Sequence, residues 1–186
     1  MEKPKTRPTN TLADNGIFYF SKEVTSESCA EAIKFILETN LKQLDGLESI
    51  RLIINSPGGD LQAALALCDI MDGSPIPVET YGIGTIYSAG LLIFMAGKKK
   101  SRTITPNTMI MSHQWQWGAS GKEHELFAAA KGFDLIKSRF MNHYKKYTGL
   151  SEKKISKYLL PPHDVWIDTE EAVQLGIADD IRIFEV

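Results

Sequence analysis

Cysteine is scarce in this sequence, and so are long hydrophobic runs and an excess of either charge. Cys29 and Cys68 are the two cysteines among 186 residues, too few for a disulfide framework, so they predict reduced thiols in a cytoplasmic protein. The 21 basic and 23 acidic residues give a net charge of −2, which argues against a nucleic-acid surface. No apolar stretch approaches the ~20 residues of a membrane span, and residues 1–15 lack the apolar middle of a secretory signal. We therefore expect neither nucleic acid nor membrane as a partner.

Strand-like and helix-like patterns alternate along the chain after a predicted mobile arm over residues 1–15. Apolar runs predict strands at 17–20, 51–55, 78–81, around 104, at 109–112 and at 181–186. Apolar residues at helical spacing predict helices from Thr25 or Ser28, from Leu61, from Ser88 and from Thr169. Because strands and helices alternate, the sequence predicts one α/β domain over residues 16–186 with mostly parallel strands.

One predicted helix is long for so small a domain, with about 24 residues and a length of roughly 36 Å. Its aromatic and apolar residues recur every three or four positions: Leu126, Ala130, Phe133, Ile136, Phe140, Tyr144 and Tyr147. In a monomer this stripe would expose apolar surface, which predicts a partner surface. His124 and His143 lie on the same helix, and we expect both to be solvated. His124, His143 and His163 show no metal-ligand spacing with one another. No metal and no other cofactor is expected.

Two turns carry residues suited to chemistry. Asn55-Ser56-Pro57-Gly58-Gly59-Asp60 follows a buried strand, and its glycines allow backbone N–H groups to approach a ligand, although a plain β–α turn is the simpler interpretation. Ser88 comes where the strand ends and a fully apolar segment begins, so its hydroxyl is either a helix N-cap or a nucleophile. No GxxxxGK[ST] phosphate loop is present, so the chain is not expected to hydrolyse ATP.

A lone histidine, His113, ends the short apolar strand at 109–112, and on its own it is more often structural than catalytic. The combination is more specific. Five motifs occur in register along the chain: Asn-Ser-Pro-Gly-Gly at 55–59, Ser88 with Gly84 and Gly90, the basic segment at 98–102, Ile-Met-Ser-His-Gln at 110–114 and Glu-Ala-Val-Gln-Leu-Gly at 171–176. This order resembles the proteolytic subunit of the Clp protease over roughly residues 17–184.

The resemblance implies a Clp-protease and crotonase-like α/β spiral of β-α-β units with a protruding helical handle at about 114–147. It also implies a catalytic triad of Ser88, His113 and Asp164. Asp164 is selected over Asp168 by its spacing to Glu171, and Asp168 is expected to cap the last helix. Serine needs a base to remove its proton, histidine serves as that base, and the aspartate orients the histidine. The implied oxyanion hole consists of the backbone N–H groups of Gly59 and Ala89.

The family binds an extended substrate between two backbone edges. The matching residues here are Asp60, Leu61, Gln62, Gln114, Trp115, Gln116 and Trp117. Residues 114–117 alternate with period two, which favours a strand, and a loop with packed tryptophans is the alternative. The resemblance implies a cytoplasmic serine endopeptidase of two stacked seven-membered rings that cleaves unfolded polypeptides. An ATP-dependent unfoldase would be the partner that uses ATP.

The sequence departs from the family at several positions. The N-terminal segment that contacts the unfoldase has no recognisable counterpart in residues 1–16, so an unfoldase partner stays open. Ile86 and Tyr87 replace small residues before the serine, His163 replaces an arginine, and two extra residues lie near Pro161. Such divergence is typical of phage-encoded or accessory members. The alternatives are a phage maturation protease acting on capsid scaffold, a catalytically silent ring-forming paralogue, and a crotonase-like acyl-CoA enzyme.

Overall fold

The computed structural model describes residues 11–42 and 47–183. Its regular elements are β1 (Ile17–Phe20), α1 (Ser26–Lys42), β2 (Ile50–Ser56), α2 (Leu61–Gly73), β3 (Val78–Tyr87), α3 (Ala89–Met95), β4 (Arg102–Ile104), β5 (Met109–Ser112), α4 (Glu123–Thr148), α5 (Glu152–Tyr158), β6 (Val165–Ile167), α6 (Thr169–Gln174) and β7 (Asp180–Ile181). The alternation of strands and helices confirms the predicted α/β class.

The sheet is parallel in the order β1-β2-β3-β4-β7, and β3 is its branching strand. The first half of β3 pairs with β4, whereas its second half pairs with β5, so that Tyr87 lies opposite Met111. Strand β6 runs antiparallel to β5 and is the exception to the parallel arrangement. Because β3 and β5 end side by side, the residues that follow them meet at one edge of the sheet.

Helix α3 lies at the centre of the core, and all seven of its residues are buried. Gly90 packs against Ser56 so closely that a side chain there would approach Ser56 Cβ to 3.1 Å. The carbonyl of Phe94 accepts a hydrogen bond from Thr80 Oγ1 at 2.8 Å. A helix that is apolar on all sides is stable only when other parts of the protein cover it. The chain therefore enters the core directly after Ser88, where α3 begins.

An ion pair fixes the C-terminal segment to the sheet. Arg102 is 2% exposed and binds the Asp179 carboxylate through Nε at 2.8 Å and Nη2 at 2.7 Å. Its Nη1 donates to the carbonyl of Tyr147 at the end of α4. Burial alone would raise the pKa of Asp179, but hydrogen bonds and the charge of Arg102 outweigh burial and lower that pKa. The predicted basic segment is therefore exposed only at its lysines, since Arg102 is a core residue.

Several predicted boundaries change in the structure. Strand β3 continues to Tyr87 rather than ending at Tyr81, because its residues 85–87 pair with β5. The strand is irregular between its two halves, where Gly84 has a φ of 58° and Asn55 Oδ1 accepts the N–H of Thr85. Part of the predicted arm, 13–15, forms a 3-10 turn. The predicted last strand covers only Asp180–Ile181, and its residues 184–186 lie outside the described residues, as do residues 1–10 of the arm. Helix α5 and strand β6 were not expected from the sequence.

The long helix exists and is two residues longer than expected, with 26 residues. Its burial changes along its length: Phe140, His143 and Tyr144 near its end are buried, whereas Leu126 and Phe127 near its start are 41% and 70% exposed. The end of α4 therefore belongs to the core. The handle, residues 114–147, projects its apolar beginning into solvent.

Candidate active site

Ser88 lies at the sharp corner between β3 and α3. Its φ of 52° is in the left-handed region, which a serine adopts only under constraint. The glycine turn supplies that constraint, because a side chain on Gly58 would come within 2.7 Å of Ser88 Cβ. The Ser88 side chain forms no capping hydrogen bond with α3, so the N-cap interpretation is wrong. The strained corner instead leaves the hydroxyl for other contacts.

That hydroxyl contacts His113. The distance from Ser88 Oγ to His113 Nε2 is 2.7 Å, a short hydrogen bond. His113 follows β5 directly, and the N–H of Ser88 donates to the carbonyl of Met111 at 2.9 Å. The parallel pairing of β3 with β5 therefore brings together two side chains that are 25 residues apart in the sequence.

A buried polar contact holds the strand end that carries His113. Ser112 is fully buried, and its Oγ donates to the carbonyl of Leu159 at 2.6 Å. Since that hydroxyl has one proton, the Tyr144 hydroxyl donates to Ser112 Oγ in the 2.8 Å contact between them. Burial raises the pKa of Tyr144, so it remains a neutral donor. The sequence did not indicate this contact, because its three members come from separate elements.

Asp164 stands on the other side of the His113 ring. Its Oδ1 is 3.5 Å from His113 Nδ1, and its side chain is 59% exposed, whereas that of His113 is 25% exposed. The antiparallel pairing of β6 with β5 places Val165 opposite Ser112 and so sets Asp164 beside His113. Asp168 caps α6 through the N–H of Glu171 at 2.7 Å, as expected. The structure thus brings together the three predicted residues and excludes the competing aspartate.

Gly59 and Ala89 flank Ser88 on the side of the glycine turn. Gly59 has a φ of 142°, and a side chain there would collide with the carbonyl of Val24. Neither N–H group donates to another described residue, while the neighbouring Asp60 N–H donates to the Val24 carbonyl. Two free backbone donors beside a nucleophile candidate are suited to an oxyanion.

A cavity of about 280 Å³ opens in front of the serine. It is lined by Gly59, Leu61, Ser88, Ala89, Leu92, His113, Trp115, Gln116 and Phe140. Its walls combine the apolar side chains of Leu61, Leu92 and Phe140 with polar groups that include Ser88, His113 and Gln116. Leu92 and Phe140 were missed by sequence reasoning, because they line the cavity from helices and carry no motif.

Only part of the predicted substrate-binding set lines this cavity, namely Leu61, Trp115 and Gln116. Asp60 caps α2 through the N–H groups of Gln62 and Ala63. The Gln114 amide donates to the carbonyl of Leu160 at 2.8 Å. The side chains of Asp60 and Gln114 therefore have structural tasks, whereas the Gln62 side chain is exposed.

The strand expected at residues 114–117 is absent from the described structure. Residues 113–120 form a loop, because no other described strand pairs with them. Trp115 packs on Phe133 and Phe140, and Trp117 packs on Phe133, with ring centroids about 5 Å apart. The Trp115 indole N–H is enclosed and makes no hydrogen bond to a described residue. The alternative interpretation, a loop with packed tryptophans, is therefore the correct one.

His143 is buried, which corrects the expectation that it is solvated; His124 is exposed as expected. His143 Nε2 lies 2.9 Å from the carbonyl of Leu92 and therefore donates to it. Burial lowers the pKa of His143 to about 4, although the Leu92 carbonyl and Asp72 oppose this shift. The imidazole is neutral at pH 7 and fixes α4 to the rear of α3.

Among residues 11–42 and 47–183, no group of three histidine, cysteine or acidic side chains could hold a metal ion. None of the helices in the same ranges combines the length and the apolar character that crossing a bilayer requires. Cys29 and Cys68 are both buried and free.

Comparisons with known proteins agree with this geometry. The Clp protease family model matches residues 2–184. The ATP-dependent Clp protease proteolytic subunit 1 of Leifsonia xyli is 33% identical over 172 residues, which cover 92% of this chain and 85% of the relative. The same subunit from Chlamydia muridarum is 32% identical over 91% of this chain and 88% of the relative. A solved ClpP1 mutant from Listeria monocytogenes superposes with a TM-score of 0.80 at 28% identity, covering 94% of this chain and 95% of that one.

The fold and the site define the class: an α/β hydrolytic enzyme with a serine and a histidine in contact at the ends of parallel strands. The chain belongs to the Clp protease family, whose members are serine peptidases. The predicted Clp-protease fold is confirmed.

Proposed function

We propose that this chain is a serine endopeptidase that cleaves extended, unfolded polypeptides with Ser88, His113 and Asp164. The observation that carries the proposal is the 2.7 Å contact of Ser88 Oγ with His113 Nε2 at a strained backbone corner. A backbone held in a sparsely populated conformation costs about 1–3 kcal/mol and persists where function requires it. The same contact argues against a catalytically silent paralogue.

The first half of the reaction forms an acyl-enzyme. His113 Nε2 removes the proton of Ser88 Oγ as that oxygen attacks the scissile carbonyl carbon. The resulting oxyanion accepts hydrogen bonds from the N–H groups of Gly59 and Ala89, and one such donor typically contributes about 3 kcal/mol. The C–N bond then breaks, the amine leaves with the proton from His113, and the acyl group remains on Ser88 as an ester.

The second half releases the acyl group. A water molecule gives a proton to His113 Nε2 while its oxygen attacks the ester carbon. The second tetrahedral intermediate uses the same two N–H donors. When the C–O bond to Ser88 breaks, His113 returns the proton to Ser88 Oγ, so that a carboxylic acid leaves and the enzyme is restored.

Asp164 fixes the tautomer of His113 and stabilises its charged form. The 3.5 Å separation from Nδ1 is longer than a strong hydrogen bond. Catalytic hydrogen bonds are often long without substrate and shorten in the complex. We therefore expect the contact between Asp164 and His113 to tighten when a substrate excludes water from the exposed carboxylate.

The loop 113–120 supports an extended substrate. Its backbone pairs with no described strand, so its N–H and C=O groups can pair with a peptide laid beside it. The opposite edge is Asp60–Gln62, and the 280 Å³ cavity between the two edges has room for an apolar side chain. The peptide would thus complete the strand that the period-two pattern at 114–117 predicted.

The handle supports self-assembly into stacked rings. Phe127 and Leu135 are 70% and 54% exposed, and Trp117 is 48% exposed. Clusters of exposed apolar side chains mark interaction surfaces. Assembly into two seven-membered rings would enclose the active sites, and the partner that unfolds substrates with ATP would be a separate protein.

The test combines a peptide-cleavage assay with a measurement of the mass of the assembled protein. We expect an internally quenched unstructured peptide to be cleaved, a stable folded domain to survive without an unfoldase, and light scattering to give a mass many times that of one chain. Ser88→Ala should abolish cleavage, whereas the exposed control Ser21→Ala should not. Rapid degradation of the folded domain, or the mass of a single chain, would contradict the enclosed chamber. Cleavage of a capsid scaffold alone would indicate the phage maturation alternative.

A further inference from the structure

An exposed apolar surface lies directly beside the catalytic residues. It consists of Tyr87, Met109 and Trp166, which we call the aromatic shelf. Trp166 is 58% exposed and Met109 is 53% exposed. The Tyr87 and Trp166 rings meet edge to face, with centroids 5.3 Å apart and an interplanar angle of 87°. The Tyr87 hydroxyl donates to Met109 Sδ at 3.8 Å, so the three side chains form one surface.

The strand register places this shelf on the same face of the sheet as the catalytic pair. Tyr87 lies opposite Met111 across β3 and β5, and Met111 lies opposite Trp166 across β5 and β6. His113 is two residues after Met111 along the chain, and Asp164 is two residues before Trp166. Because side chains alternate with period two, the two rows face the same way, about 7 Å apart.

His113 separates the shelf from the cavity in front of Ser88. The residues that follow it, Trp115 and Gln116, line the cavity, whereas Met109 and Met111 precede it on β5. His113 protonates the leaving amine. The peptide segment that leaves must therefore lie on the side of His113 that faces away from the acyl group. If the acyl group occupies the cavity, the leaving segment lies over the shelf.

We propose that the aromatic shelf binds the residue or two residues that follow the scissile bond, and that it favours apolar and aromatic side chains there. This inference rests on the proposed peptidase function and names part of its substrate preference. A concave surface of about 490 Å³ continues from Met109 and Trp166 towards Thr169 and Glu171, which gives the leaving segment room. The carboxylates of Asp168 and Glu171 line this surface and disfavour acidic residues in the substrate.

The test uses internally quenched peptides that differ only in the residue after the scissile bond: phenylalanine, glycine or aspartate. For the intact enzyme, kcat/KM for the phenylalanine peptide should exceed that for the glycine peptide by about tenfold, the range that one apolar group provides in a pocket. The aspartate peptide should be the slowest. Trp166→Ala and Met109→Ala should each bring the phenylalanine-to-glycine ratio close to one, mainly through a lower kcat/KM for the phenylalanine peptide.

Tyr19→Ala is the matched control, because Tyr19 is 46% exposed on β1, at the opposite edge of the sheet. It should preserve the ratio. The rate of labelling by a fluorophosphonate, which carries no leaving peptide, should be the same in Trp166→Ala and the intact enzyme. An unchanged ratio in both shelf variants, or a lower oligomer mass in Trp166→Ala, would overturn the shelf assignment while leaving the peptidase proposal in place. Absence of both labelling and cleavage in the intact enzyme would overturn both.

Discussion

Two histidines lie at opposite sides of helix α3, and their environments differ. At the front, His113 contacts Ser88, the residue that precedes the helix, and is 25% exposed beside the Asp164 carboxylate. At the rear, His143 donates to the carbonyl of Leu92 and is buried. Residue type is the same at both places, so the difference lies in the surroundings: burial at the rear, and solvent with a nearby carboxylate at the front.

The rear site keeps its histidine neutral because desolvation outweighs the nearby Asp72 carboxylate. The front site has water on one side and a carboxylate within reach of Nδ1, which is what an imidazole that must gain and lose a proton requires. The comparison assigns chemistry to the front of α3 and stability to its rear. Three substitutions test this division and a fourth tests the packing of Trp115 beside the cavity; they follow in order of decreasing expected effect.

Removal of His113 should have the largest effect. His113→Ala leaves Ser88 without a base, and loss of one member of a serine–histidine pair typically costs about 10⁶ in kcat. Thermal stability should change little. Peptide hydrolysis measures the effect, with His124→Ala on the exposed start of α4 as the control. Comparable activity in His113→Ala and His124→Ala would remove the front site from the mechanism.

The second largest effect should follow from Asp164→Asn. An amide leaves the His113 tautomer wrong, and the corresponding change in a well-studied triad costs about 10⁴ in kcat. Asp168→Asn is the matched control, because asparagine caps a helix about as well as aspartate. If the Asp168 variant were the inactive one, the placement of Asp164 beside His113 would be wrong.

The rear site should appear in the pH dependence of stability. His143 has a pKa of about 4 when folded against an ordinary value of 6.5, so the unfolded chain binds a proton first as the pH falls. The contribution of the neutral His143 to the free energy of unfolding is fully present above pH 6.5. The free energy of unfolding should fall by about 3 kcal/mol as the pH approaches 4. Urea unfolding at several pH values measures this loss. His143→Gln should flatten the curve between pH 6.5 and 4, and an equally steep curve in that variant would contradict the assignment.

The smallest effect should come from Trp115→Phe. It removes the enclosed indole N–H that lacks a described partner, a donor whose burial costs about 1–3 kcal/mol, and keeps ring contacts with Phe133 and Phe140. The smaller ring loses some packing, so the free energy of unfolding should change by about 1 kcal/mol or less. Trp115→Ala should cost about 3–5 kcal/mol. Equal losses in the two variants would show that the indole N–H is satisfied.

The sequence predicted the front of α3 better than the rear for a physical reason. Ser88 and His113 follow the ends of β3 and β5, and parallel strands bring such ends to one edge of the sheet. Asp164 instead precedes the antiparallel β6, and it was selected by its spacing to Glu171 in the motif that resembles the Clp protease family. His143 was misplaced because α4 is exposed at its start, where His124 lies, and buried near its end, a difference that the helical spacing does not contain. His143 therefore faces the core while His124 faces solvent.

Other features depend on contacts that no local pattern contains. Arg102 is buried because Asp179 reaches it from 77 residues further along the chain. Alternation at 114–117 predicted a strand, but a strand also needs a paired neighbour, and the described chain provides none. Tyr87 and Trp166 meet only because β5 lies between their strands.

The central claim is that the front of α3 carries a nucleophile, and covalent labelling tests it most directly. The enzyme is treated with a fluorophosphonate, digested, and the adduct is mapped by mass spectrometry. The account predicts one adduct, on Ser88, that is lost in Ser88→Ala and strongly slowed in His113→Ala. An adduct on another serine, or labelling that persists at full rate in His113→Ala, would contradict it.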